Sequence, residues 1–434
     1  MAEDLIVRNV TLIDGSGGPP MANAEVAIAG GRFTAIRPTD NRTNGATVFD
    51  GRGAYLLPGL WEGHTHLRAR PDEPPADQVA RLETILAGYL AAGITTVLEL
   101  GGPLDIDGRL RERHRTTPPA DAAELFFAGP SFTGINGWPL ELHHNHALIR
   151  EAGDAQSARR MVLELEGETD FVKCIYDGEP GAPDKLPRAA LQAIVTAAHE
   201  RGKSVLVHIA TKRDIEEAVD AGADCIEHSF IPRDPDDLTE AEDVAHLLAS
   251  TGTYFSPTLA VFEQIGRSGD RAYLDDLARD AIISPDEARA VAGRKTFGDP
   301  FPHHPAAETL ARFQYGMRIL PIMRDAGVKI VAGSDVGFFM SRPAALLREL
   351  QLLAGAGLPN GDVIVAASRH AAEKIGQGRS VGTIAVGQVA DALLLDADPL
   401  ADVMHLVRPS HRIATLRRGH LNVEHASFAG EQPA

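Results

Sequence analysis

One local pattern recurs along the middle of the chain and limits the folds open to it. Apolar, strand-like runs that end in a polar residue lie at 170–173, 204–208, 225–228 and 328–335. The last three follow a helical stretch that ends near a glycine, so each unit consists of helix, glycine stop, strand and polar terminus. Such alternation favours parallel strands wrapped in helices, and in a (β/α)₈ barrel the chemistry lies at the carboxyl ends of the strands. We therefore predict an α/β fold of the TIM-barrel type with its site at those ends.

A further strand-like run, Leu57 to His66, carries two histidines, His64 and His66. Side chains alternate along a strand, so both imidazoles point to the same face, about 6–7 Å apart by the strand rise. Neutral imidazole is a common zinc ligand, and two such rings can converge on one metal ion. The motif alone is weak because His-x-His also occurs by chance. Its value comes from the lysine, histidines and aspartate at the other strand ends.

The order of these polar residues resembles the amidohydrolase superfamily, in its two-metal, carboxylated-lysine branch. The imidazolonepropionase-related hydrolases, which include Xaa-Pro-type dipeptidases, are the most similar members. The resemblance spans nearly the whole chain and includes 92–97, 221–228, 332–335 and 381–395. It implies a set of six metal ligands: His64, His66, Lys173, His208, His228 and Asp335.

The resemblance also implies a role for each ligand. Two divalent metal ions, which we expect to be zinc, would be held about 3.5–4 Å apart and share a bridging hydroxide. His64, His66 and Asp335 would bind the first ion, while His208 and His228 would bind the second. Lys173 would take up carbon dioxide as N-carboxylysine and give one oxygen to each ion. Asp335 would be the catalytic base and then the acid.

Simpler structural roles remain open for these residues. Lys173 can be a solvated lysine at a strand end, and a protonated lysine does not ligate a cation. His208 and His228 can be hydrogen-bonded interior histidines. Asp335 can cap the following turn.

One position departs from the dipeptidase-like relatives, which often carry Tyr or His two residues after the fifth-strand histidine. Here that position is Ala210, so a substitute that contacts the substrate carbonyl must come from elsewhere. Arg68 can clamp a substrate carboxylate, although Arg68 and Arg70 can instead pair with acidic neighbours such as Asp72 and Glu73. The candidate substrate-binding residues are therefore Tyr176, His143, His144, His146 and Arg68.

Chain length leaves room for a second module beside the barrel. The chain has 434 residues, whereas such a barrel needs about 250. Residues 1–56 and 381–434 are rich in short strands and glycine turns, and neither is long enough for a core of its own. The resemblance implies that they pair into one small β-sandwich, with the catalytic barrel at 57–380.

Composition excludes several classes of partner. With 42 basic and 60 acidic residues, the formal net charge of −18 disfavours nucleic acid and anionic membranes. We expect no membrane span and no secretory signal, and therefore a cytoplasmic location. We also expect a small-molecule substrate and a homo-oligomer. The two cysteines, Cys174 and Cys225, should be small buried residues that alternation turns away from the barrel interior.

Three functions compete at this point. The first is a metal-dependent hydrolase that cleaves an amide, peptide-like or related acyl bond with the bridging hydroxide. The second is a one-metal deaminase or cyclic-imine hydrolase of the same superfamily, which does not need Lys173. The third is a non-catalytic binding relative, which usually lacks some ligands. Metal content per chain, near two, one or none, separates them.

Overall fold

The structure of the protein, a computed structural model, covers most of the chain. It describes residues 4–40, 45–67, 73–116, 119–138, 147–165, 167–178, 184–293, 305–335 and 342–423.

Strands occur at both ends of the chain and alternate with helices between them. The strands are β1 (Leu5–Leu12), β2 (Met21–Ala29), β3 (Arg32–Pro38), β4 (Thr47–Asp50), β5 (Tyr55–Pro58), β6 (Leu60–Thr65), β7 (Ile94–Glu99), β8 (Glu124–Phe127), β9 (Ser131–Thr133), β10 (Ile149–Glu151), β11 (Val172–Tyr176), β12 (Val205–Ile209), β13 (Cys225–Glu227), β14 (Tyr254–Ser256), β15 (Ala392–Leu395), β16 (Arg412–Arg417) and β17 (His420–Val423).

The helices fall almost entirely between the two strand-rich ends. They are α1 (Pro75–Ala91), α2 (Leu104–Thr116), α3 (Ala155–Glu164), α4 (Arg188–His199), α5 (Lys212–Asp220), α6 (Thr239–Thr251), α7 (Leu259–Gly266), α8 (Arg271–Arg279), α9 (Pro285–Ala292), α10 (Ala306–Asp325), α11 (Arg342–Gly355), α12 (Asn360–Ala366), α13 (Arg369–Glu373) and α14 (Val403–Val407). Within the described part of the chain, no helix has the length and apolar character needed to span a bilayer.

The two chain ends form one mixed sheet of eight strands. Its order is β17-β16-β15-β5-β1-β2-β3, with β4 beside β1. Strand β5 joins the two ends, because it pairs with β1 on one side and with β15 on the other. Buried apolar side chains from both ends, such as Val7, Phe33, Leu394 and Leu416, form a cluster of their own. Strand β5 extends the N-terminal part of this sheet to Pro58.

The middle of the chain closes into a parallel barrel. Strands β6, β7 and β8 are neighbours, and β11, β12, β13 and β14 follow in order. Strand β9, which comes directly after β8, pairs with β11. Phe255 N donates to Lys329 O at 3.0 Å and Gly63 N to Ala332 O at 3.1 Å, so residues 328–335 lie between β14 and β6. This closure and the shared β sheet confirm the predicted fold class.

Local sequence signals explain why the helices stop where they do. Gly202, Gly222 and Gly327 follow helices with φ of 68°, 93° and 86°, a left-handed backbone that favours glycine. Each glycine lets the chain turn back into the next strand. At the start of α5, Thr211 and Asp214 form a reciprocal capping box that satisfies two backbone N–H groups.

The cysteines are both buried and free, as predicted, but they do not face the same way. Cys174 packs in the main core, where burial raises the pKa of its thiol to about 12. Cys225 instead joins an inner cluster with Phe171 and Leu206. The prediction that Cys225 faces away from the barrel interior is wrong, because the backbone of His228 has a positive φ of 81° and breaks the alternation.

Candidate metal centre

The carboxyl ends of the barrel strands open into a cavity of about 430 Å³. This volume suits a small molecule, since ligand pockets span about 300–1,000 Å³. The cavity wall includes all six candidate ligands, namely His64, His66, Lys173, His208, His228 and Asp335. The six side chains therefore meet at one mouth of the barrel.

His64, His66 and Asp335 form the tightest group. Asp335 Oδ1 lies 3.5 Å from His64 Nε2 and 3.3 Å from His66 Nε2. One potential ligand atom from each of the three lies within 4.8 Å of the others. Burial alone would raise the pKa of Asp335, but His64 and His66 outweigh it and lower that pKa to about 2. Asp335 is therefore an ionised carboxylate, the form that binds a cation.

His208 and His228 form a second group beside the first. Their ring centroids are 4.4 Å apart, and His228 Nδ1 lies 3.7 Å from Asp335 Oδ2. Each oxygen of Asp335 thus faces a different group of histidines. Burial is the main cause that lowers the pKa of both His208 and His228, which favours the neutral, ligating form.

Lys173 is buried at the same mouth, with 1% of its surface exposed. Its Nζ has no hydrogen-bond partner among the described residues. Burial lowers the pKa of the amine, which favours the neutral form. A positive charge on Lys173 acts on His64, His208, His228 and Asp335, so the amine lies close to both groups.

The group of His64, His66 and Asp335 fits a metal ion. His64 Nε2 and Lys173 Nζ are both buried without a hydrogen-bond partner in the described chain. Buried polar atoms are almost always satisfied, so two such atoms at one cavity are available to hold a ligand. Imidazole nitrogens with a carboxylate oxygen are one of the donor sets that bind zinc in proteins.

Two residues behind His64 contact it directly or in turn, and sequence reasoning missed both. His64 Nδ1 lies 2.7 Å from Glu227 Oε2, and Glu227 Oε1 accepts from Lys374 Nζ at 2.8 Å. Glu227 immediately precedes His228, so a carboxylate inside a buried strand was the available signal. Lys374 follows α13, and nothing in the local sequence points to the site.

Two candidate ligands sit on unusual backbone. His228 has φ of 81° and Asp335 has φ of 50°, which non-glycine residues seldom adopt. Asp335 N donates to His64 O at 2.7 Å, and His228 N donates to Ser256 O at 2.7 Å, so hydrogen bonds to neighbouring strands hold both residues. Such strained positions cluster at functional sites.

Tyr176, a predicted substrate-binding residue, is not among the described residues that line the cavity. Its hydroxyl donates to Glu217 Oε2 at 2.7 Å, and Lys185 Nζ lies 3.7 Å from the ring centroid. The physical reason is alternation, since Lys173 and Ile175 face the cavity and Tyr176 faces the opposite side of β11. Four other substrate-binding candidates lie outside the described residues: Arg68, His143, His144 and His146.

Arg312, from α10, lies beside Ile209, the residue that precedes Ala210. Its Nε donates to Ser229 O at 2.6 Å and its Nη2 to Ile209 O at 3.1 Å. These carbonyls belong to the residues that directly follow His228 and His208. The guanidinium also lies 4.3 Å from the ring centroid of Phe262. A cation from a distant helix is thus held at the cavity wall beside Ala210.

The rest of the wall is largely apolar. It includes Leu148, Ile149, Ile231, Val261, Phe262 and Ile265. A substrate would therefore meet polar groups at the strand ends and an apolar surface above them.

Comparison with known proteins agrees with this architecture. The model of the amidohydrolase family matches residues 55–421. An N-acyl-D-aspartate deacylase of Alcaligenes xylosoxydans xylosoxydans is 29% identical over 205 residues, which are 46% of this chain and 35% of that protein. The crystal structure of an amidohydrolase matches with a TM-score of 0.76 and 25% identity over 97% of this chain and 99% of that one. A Xaa-Pro dipeptidase with bound methionine shares the fold, with a TM-score of 0.76, 19% identity and coverage of 97% and 100%.

Proposed function

Because the chain belongs to the amidohydrolase family, we propose that it is a two-metal hydrolase that cleaves an amide or related acyl bond of a small molecule. The observation that carries the proposal is the buried amine of Lys173, which lies beside the two groups of histidines and has no hydrogen-bond partner among the described residues. A neutral lysine amine can add carbon dioxide and release a proton, which leaves a carbamate with two oxygens. His64, His66 and Asp335 would hold one ion, His208 and His228 the other, and the carbamate both.

When bound, two divalent ions would polarise the scissile carbonyl and make water nucleophilic at neutral pH. Asp335 would accept a proton from the attacking water and return it to the leaving nitrogen, so amide and water become acid and amine. Its depressed pKa of about 2 keeps Asp335 ionised at neutral pH, which is the form that binds a cation. The two Asp335 oxygens face different histidines, which suits a carboxylate that binds a metal ion and also transfers a proton.

We propose that Arg312 donates a hydrogen bond to a substrate oxygen, the role that Tyr or His at position 210 has in dipeptidase-like relatives. Its guanidinium is held by the carbonyls of Ile209 and Ser229, so its direction is fixed before substrate binds. The apolar wall favours substrates with an aliphatic or aromatic group on one side of the bond. The partial likeness to a deacylase supports N-acyl compounds as the first class to try.

The buried amine also separates this proposal from the alternatives. A one-metal deaminase has no need of a neutral lysine at the fourth strand end, and a non-catalytic relative has no need of all six side chains. We retain a homo-oligomer and a cytoplasmic location as predictions, which size-exclusion chromatography and fractionation would check.

The test is metal content together with turnover. Protein prepared with zinc and bicarbonate should contain close to two ions per chain and hydrolyse members of a panel of N-acyl amino acids, dipeptides, carbamates, lactones and aryl amides. Near one ion per chain would favour the deaminase alternative. An absence of bound metal would overturn the proposal.

A further inference from the structure

A chain of three buried polar side chains runs from the barrel interior to the candidate metal centre. Lys374 Nζ lies 2.8 Å from Glu227 Oε1, and Glu227 Oε2 lies 2.7 Å from His64 Nδ1. All three side chains are fully or almost fully buried. We infer that Glu227 and Lys374 are positioning residues, which select the proton position and orientation of His64 so that its Nε2 can bind metal. This inference rests on the proposed two-metal function.

The hydrogen bonds among these three side chains allow His64 only one neutral tautomer. The Glu227 carboxylate only accepts hydrogen bonds, so the imidazole must donate from Nδ1. In the neutral ring, Nε2 then carries the lone pair. His64 Nε2 is buried, has no hydrogen-bond partner among the described residues and lies 3.5 Å from Asp335 Oδ1. The bond to Glu227 thus turns the free lone pair towards the cavity, as carboxylates behind metal-binding histidines do.

Lys374 keeps Glu227 in the required form and direction. A buried carboxylate without a compensating charge is costly, and Lys374 supplies that charge at the oxygen opposite His64. The ammonium group can only donate hydrogen bonds, so the atom of residue 227 that faces it must be an acceptor. Glu227 lies on β13, next to His228, whereas His64 lies on β6. Strand β13 therefore leads into His228, a candidate ligand of the second group, and also carries Glu227, which orients His64 of the first group.

This arrangement makes an unusual prediction for the isosteric variant Glu227→Gln. Lys374 would take the amide oxygen, so the amide NH₂ would face His64 and donate to Nδ1. The imidazole proton would then move to Nε2, the atom that should bind metal. We expect zinc affinity at the first site to fall about 10–100-fold.

The double variant Glu227→Gln/Lys374→Met gives the decisive comparison. Without the ammonium, the amide is free to turn and accept from Nδ1, so zinc affinity should recover part of the loss. If the ion pair served folding alone, the second substitution would leave affinity the same or lower it further. The readout is zinc affinity by chelator competition, with thermal unfolding followed on each variant.

Asp391→Asn is the matched control, because it breaks a buried ion pair with Arg417 in the β sheet, away from the cavity. It should lower stability and leave zinc affinity unchanged.

A second measurement uses the unaltered protein, so it does not depend on any variant folding. The ¹⁵N spectrum of histidine-labelled, zinc-loaded protein should place the His64 proton on Nδ1.

The outcomes separate this inference from the proposed function. A wild-type protein that binds no metal would overturn the proposed function and this inference with it. If the wild-type protein binds two ions, three results would overturn the positioning role alone. These are an unchanged zinc affinity in Glu227→Gln, a double variant that binds zinc no better than the single variant, and a His64 proton on Nε2.

Discussion

Replacing Lys173 with methionine should make the metal-free protein more stable while removing its metal centre. The side chain is buried, and its Nζ has no hydrogen-bond partner among the described residues. Leaving a buried polar group unsatisfied costs about 1–3 kcal/mol, and methionine fills similar space without that group. We therefore expect Lys173→Met to raise the free energy of unfolding of the metal-free protein by about 1–3 kcal/mol.

The gain should depend on pH in a direction that follows from the pKa of Lys173. Burial lowers that pKa below its value of about 10.4 in the unfolded chain. Between the two values the unfolded state binds more protons, so wild-type stability rises with pH through this window. The methionine variant lacks this contribution. Its advantage over wild type should be largest below the folded pKa and shrink as pH rises towards about 10.

Lys374→Met is the matched comparison, because Lys374 is an equally buried lysine that is paired with Glu227 at 2.8 Å. Breaking a buried pair costs about 3–5 kcal/mol, so the two methionine variants should change stability in opposite directions. Urea unfolding in the presence of a chelator, followed by circular dichroism, measures both. If Lys173→Met destabilises the metal-free protein as Lys374→Met does, the amine of Lys173 has a stabilising partner in the native protein, which contradicts the prediction.

Three further predictions concern the chemistry. Asp335→Asn should lower turnover by about 10²–10⁴-fold even at saturating metal, because an amide cannot accept the proton; near-normal turnover of a metal-replete variant would point to another base. Arg312→Lys should lower turnover by about 10²–10³-fold with metal content unchanged, since a lysine cannot keep both carbonyl bonds and still donate to substrate; unchanged turnover would remove Arg312 from the site. Lys173→Ala should lose most metal and activity, and added short carboxylic acids should restore part of both; wild-type metal content in this variant would contradict the bridging role.

Local sequence rules were enough to predict the fold class and to predict that the six side chains meet. A helix, a glycine stop and an apolar strand with a polar end repeat often enough to indicate a parallel barrel. Once the strands are parallel, their carboxyl ends must share one mouth, so His208 and Asp335 come together despite their separation in sequence. The same rule of alternation, applied to β11, would have excluded Tyr176, because it lies an odd number of residues from Lys173.

Alternation fails where the backbone leaves the strand conformation, and the site contains such places. At His228 the positive φ of 81° lets the histidine reach the cavity although Cys225 and Glu227 also face the interior. A sequence pattern does not reveal this turn, since non-glycine residues rarely adopt it and only the surrounding hydrogen bonds hold it.

Contacts made by closure of the barrel lie beyond local rules altogether. Arg312 reaches the ends of β12 and β13 from a helix about a hundred residues later, and Lys374 reaches Glu227 across 147 residues of sequence. Arg312 lies within a helix and Lys374 directly follows one, and at both places an exposed charge is the usual expectation. Their burial follows from which strands become neighbours when the eight positions close. The ligands of a site at strand ends are thus readable from sequence, whereas the residues that orient those ligands depend on long-range packing.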